Sequence, residues 1–91
     1  MRGKKQVIKA LPKLTERELT IVWRDVSRAA DTAAIGGATM RQWNDYKELE
    51  YEIETECERR FGKKPNDYLN REGSEELSQI YDKIFCRKKA R

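Results

Sequence analysis

The chain has 91 residues, 40% of them charged and 37% hydrophobic, with a net charge of +4 and no histidine. That length supports one domain with one modest core and excludes a large cofactor cleft. Without histidine the commonest general base and metal ligand are missing, and two cysteines cannot supply the four ligands of a structural zinc site.

Residues 1–14 carry Arg2, Lys4, Lys5, Lys9 and Lys13 and no acid. They are expected to form a basic, flexible N-terminal arm, in which Val7, Ile8 and Leu11 precede Pro12. The chain shows no apolar run of the length of a signal peptide or a membrane span. Two cysteines without a secretory signal point to reduced thiols and a cytoplasmic location. Cys57 and Cys86 both read as small hydrophobes.

Thr15-Glu16-Arg17-Glu18 is a capping box, with Leu14 and Leu19 at the staple positions around it. Leu19, Val22, Trp23, Val26, Ala30 and Ala33 then recur at three- and four-residue steps, which predicts a helix over 15–35. Gly36-Gly37 interrupts the pattern, and it lacks the Lys and Ser/Thr of a phosphate-binding loop. Thr39-Met40-Arg41-Gln42 is a second capping box and opens a helix over 39–61, which Gly62 closes and Pro65 stops. A short helical turn is expected near 66–72. Ser74 caps a third helix over 74–88, whose apolar face is Leu77, Ile80, Tyr81, Ile84 and Phe85. The expected fold is all-α: a small bundle of three main helices in one domain, residues 15–86. Basic arms at 1–14 and 87–91 flank it.

From Glu48 to Glu58 every second residue is Glu. Alternation of this kind is a strand signature, but Glu is depleted in strands and is a good helix former. At helical period the same residues place Tyr46, Leu49, Ile53 and Cys57 in one stripe between two rails, Glu48/Glu52/Glu56 and Glu50/Glu54/Glu58. The four like-charge i,i+4 pairs cost roughly 1–2 kcal/mol together. Their carboxylates diverge along a straight helix and do not wrap a calcium ion, so no metal or cofactor is expected.

Resolved along the chain, the charge is polarised. The arms hold nine positive charges, and the remaining eleven basic residues face all sixteen acidic ones, leaving the centre at −5. Basic arms suit nucleic-acid phosphates. An apolar stripe with acidic flanks suits a basic surface, on another molecule or on the chain's own termini.

Val26, Ala30, Ile35, Thr39, Met40 and Trp43 sit at the spacing of a helix-turn-helix. This segment resembles the motif of MerR-type regulators, excisionases and some phage packaging and regulatory proteins. The resemblance implies that Ala30 lets two helices cross closely, that Ile35, Met40 and Trp43 lock the second on the first, and that Thr39 caps a recognition helix. It further implies that Arg41, Gln42 and Asn44 face bases, while Arg28 and the arm residues Lys4, Lys5, Arg87, Lys88 and Lys89 hold phosphates. Ala34 stands where the motif's turn has Gly. The alternative is one long helix to Ile35 and a plain hairpin packed through Trp23 and Trp43.

The expected function is that of a small, non-enzymatic DNA-binding accessory or regulatory protein, working as a homodimer. The alternative is a protein-interaction module that docks Leu49 and Ile53, flanked by Glu48, Glu52 and Glu56, on a basic partner.

Overall fold

The computed structural model describes residues 3–37, 39–65 and 74–85. Four helices run in the order α1 (Lys4–Ala10), α2 (Glu16–Gly36), α3 (Met40–Phe61) and α4 (Ser74–Ile84), with a 3₁₀ turn, Leu11–Lys13, between the first two. The all-α bundle expected from the sequence is what forms.

Helices α2 and α3 make an antiparallel hairpin, and their ends follow from local chemistry. The Thr15 hydroxyl accepts from the Glu18 amide at 3.1 Å while the Glu18 carboxylate accepts from the Thr15 amide at 2.9 Å. Thr39 and Gln42 repeat the exchange at the start of α3. Each box satisfies two amides that a helix start would leave unpaired. Gly37, at φ 76°, ends α2 in the left-handed conformation that side chains other than glycine's resist. Trp23 Nε1 donates to Glu54 at 3.0 Å midway along the hairpin, and Lys63 lies 3.7 Å from Glu16 at its base. The two helices are therefore tied together from their middle to their base.

The alternating segment is helical throughout, and it buries the stripe Leu49, Ile53 and Cys57. In the same core cluster are Leu19, Val22 and Val26 of α2. Trp23 packs at the edge of this core, whereas Trp43 is half-buried and stands apart from it. Burial pushes the Cys57 thiol up, reinforced by the nearby Glu16 and Glu56, so it remains protonated at neutral pH.

The N-terminal segment departs from expectation. Over residues 4–13 it is not a flexible arm but part of the core, with Val7 fully buried and Leu11 only 2% exposed. The reason is the i,i+4 spacing of Val7 and Leu11, which gives α1 an apolar edge facing α3 and α4. A bundle this small has little other surface to bury. The Arg60 guanidinium of α3 fastens the end of the segment, donating to the Leu14 carbonyl at 2.7 Å. At the other end Gly3 starts α1 at φ 82°, where a Cβ would lie 2.6 Å from the Phe85 ring. Only glycine fits both that conformation and that contact.

Helix α4 seats Ile80 and Ile84 on the core, with Leu77, Tyr81 and Phe85 partly buried around them. Arg17 clamps Glu76 with two bonds, at 2.7 and 3.0 Å. The helical turn expected near 66–72 and the expected end of the last helix at 88 lie outside the described residues.

The Tyr81 hydroxyl donates to Asp25 Oδ2 at 2.7 Å, tying α4 to α2. Burial, and then the Asp25 carboxylate, raise the Tyr81 pKa well above its ordinary value near 10. Above about pH 10 the unfolded chain loses this proton and the folded chain keeps it, so stability falls as pH rises. Lys4, raised by Glu48 and then Asp45, acts in the same direction. We expect Tyr81→Phe to cost about 1–3 kcal/mol at pH 7. The gap from wild type should narrow above about pH 10 in denaturant titrations. A gap that stays constant to pH 11 would show that this bond is not what titrates.

Candidate nucleic-acid interface

The charges of the folded chain sort into those satisfied internally and those left over. Along the acidic rails, Glu48 takes the Lys4 ammonium at 2.6 Å and Glu50 takes Lys47 at 3.2 Å. Glu54 accepts from Trp23, Glu56 holds Arg59 at 2.5 Å and Arg60 at 3.6 Å, and Glu58 lies 3.9 Å from Lys64. Lys4 also reaches Asp45 at 3.0 Å. One lysine of α1, Lys4, thus pairs with the acidic helix, whose other carboxylate partners lie in α3 itself, at Trp23 and at Lys64.

This corrects the second expectation of a docking stripe. Leu49 and Ile53 are 0% exposed, because α1 and α2 cover them, so neither is available to an outside surface. Glu48 and Glu56 are engaged within the chain. Of the five residues expected at that interface, only Glu52 lacks a partner among the described residues, and it is half-buried.

Among the described residues, the cations that make no ion pair are Lys5, Lys9, Lys13, Arg28 and Arg41. Lys5 and Lys9 stand one helical turn apart on the face of α1 opposite Val7 and Leu11, and Lys13 continues the line in the 3₁₀ turn. All three are exposed, and the segment from Gly3 to Leu14 holds no carboxylate. Arg41 is exposed one helical turn before Asp45, the residue that Lys4 grips at the start of α1. The sequence reading placed Lys5 at the site and left out Lys9 and Lys13. Their signal was the four-residue repeat 5, 9, 13.

The helix-turn-helix residues are placed differently from their expected roles. Helix α2 runs unbroken to Gly36 and forms a hairpin with α3, which packs through Trp23 but not through Trp43. Ile35 is 88% and Met40 72% exposed, so neither locks α3 on α2. Thr39 does cap α3, but Gln42 uses its side-chain oxygen in the same box and does not have it free for a base. Arg41 and Asn44 are exposed on the first turns of α3. Lys4 is committed to carboxylates. Arg87, Lys88 and Lys89 lie outside the described residues.

Arg28 belongs to another feature, an open groove of about 570 Å³ between the distal parts of α2 and α3. Asp25, Ala29, Thr32 and Gly36 line it on one side, Gln42 and Tyr46 on the other. Among the described residues no cluster of Cys, Asp and Glu is arranged to hold a metal ion, and no helix is long and apolar enough to cross a membrane.

No known protein family matches this chain, and no curated protein or solved structure matches it significantly.

Proposed function

We propose that the protein binds duplex nucleic acid through its phosphates, as a small non-enzymatic accessory or regulatory protein. The contact surface is the cationic edge of Lys5, Lys9, Lys13 and Arg41. The observation that carries this reading is that ion pairs within the chain take up four of the six rail carboxylates, Glu48, Glu50, Glu56 and Glu58, while Lys5, Lys9 and Lys13 stay unpaired. Among the described residues the charges without an ion partner are five cations (Lys5, Lys9, Lys13, Arg28, Arg41) and four carboxylates (Asp25, Asp31, Glu52, Glu54), and three of those cations share the segment from Gly3 to Leu14, which holds no carboxylate.

A line of lysines with no acid among them is the electrostatic footprint of a phosphate binder. Each phosphate it neutralises releases counterions, which supplies affinity without reading sequence. Arg41 and Asn44, exposed at the start of α3, are the side chains suited to guanine and adenine edges. The acidic rails lie further along α3, so only its first turns approach the duplex.

Fluorescence anisotropy of a labelled random-sequence duplex tests the proposal. Affinity should fall linearly with salt on a log–log plot, with a slope near −0.9 for each phosphate contacted. Absence of binding at about 50 mM salt would overturn it.

A further inference from the structure

We infer that the distal half of α2 is a self-association surface on which a second copy of this chain lays its own α2 antiparallel. Helix α4 covers α2 from Arg17 to Asp25, where Ile21 is buried on the side that α4 packs against. The same side of α2 continues past the end of α4 at Ile84 with no described residue seated on it. There it carries Arg28, Thr32 and the 88%-exposed Ile35, beside the groove floored by Ala29 and Gly36. Small side chains along that groove allow a helix to approach closely.

The occupant is specified by charge. Arg28 and Asp31 are both exposed, stand three residues apart on one helix, and make no ion pair with each other or with any other described residue. That pattern is complementary to itself read backwards. In a two-fold antiparallel pairing centred between Ala29 and Ala30, Arg28 of each copy meets Asp31 of the other. A parallel pairing would set Arg28 against Arg28 and is disfavoured. Ile35 of each copy then reaches the edge of the other's α4, near the Tyr81–Asp25 bond. The inference stands apart from nucleic-acid binding, since it uses neither the lysine edge nor Arg41.

Sedimentation equilibrium without nucleic acid, at up to about 100 μM protein, tests it, since an interface of this modest size should hold in the micromolar range. Wild type should show a monomer–dimer equilibrium. Arg28→Asp and Asp31→Arg, each alone, should weaken the dimer by about 30-fold or more. The double variant Arg28→Asp/Asp31→Arg should restore it, because the swapped charges again face their opposites. Both positions tested are exposed, and circular dichroism of each variant confirms the helices. A wild type that stays monomeric overturns the inference. So does a dimer indifferent to the single reversals, or a double variant no better than either single.

Discussion

Leu11→Ala should destabilise the fold by about 2–5 kcal/mol, the usual cost of truncating a buried leucine. For a chain of this length total stability is of the order of 5–14 kcal/mol, so the variant loses a large share of it. Leu11 is 2% exposed and packs with Val7, Leu14 and the α3 stripe, and its loss leaves a cavity at the meeting of three elements. Lys13→Ala, two residues away and exposed, should change stability by no more than about 0.5 kcal/mol. Urea titrations of both variants measure the contrast. Equal midpoints would mean that residues 4–13 contribute nothing to the core, contrary to the packing described.

The second large effect concerns charge. Lys5→Ala/Lys9→Ala/Lys13→Ala removes three phosphate contacts from the proposed interface. The slope of log affinity on log salt should flatten by about 2.7, which is three times 0.9. Raising salt from about 50 to about 200 mM should then cost wild type about 40-fold more affinity than it costs the variant. Because the three side chains are exposed and unpaired, stability should be unchanged. Identical slopes for the two proteins would remove these lysines from the interface. Lys4→Ala makes an informative contrast. It frees Asp45 and Glu48 beside the cationic edge, so it should weaken binding through repulsion although Lys4 itself touches no phosphate.

These two expectations mark what the amino-acid order reveals and what it conceals. Both capping boxes, the left-handed glycine after α3 and the helical reading of the alternating Glu segment were legible, because each depends on neighbours within one or two turns. The buried stripe Leu49–Ile53–Cys57 was legible for the same reason. What covers that stripe was not. Five basic residues in the first fourteen outweighed the single i,i+4 pair Val7–Leu11, which becomes a core edge only when α3 and α4 are present to receive it. The Lys4–Glu48 pair spans 44 residues and leaves no mark on local pattern. The site changed accordingly. Charge polarisation was visible as basic ends on an acidic centre, but folding turns Lys4 onto the acidic helix, whose other ion pairs come from Lys47, Arg59, Arg60 and Lys64. What survives is the opposite face of the same segment, Lys5, Lys9 and Lys13. The spacing of Val26 to Trp43 matched a helix-turn-helix, yet spacing alone does not set how two helices cross. In the hairpin of α2 and α3 Ile35 and Met40 lie in solvent.

The central claim is that ion pairs within the chain take up four of the six rail carboxylates and that the outer face of α1 meets nucleic acid. Its most direct test is an amide chemical-shift titration of the isotope-labelled protein with a random-sequence duplex at low salt. The account predicts that the shifts cluster on residues 4–13 and 40–44 and leave residues 48–58 still. Shifts centred on the Glu48–Glu58 segment, or none at all, would contradict it.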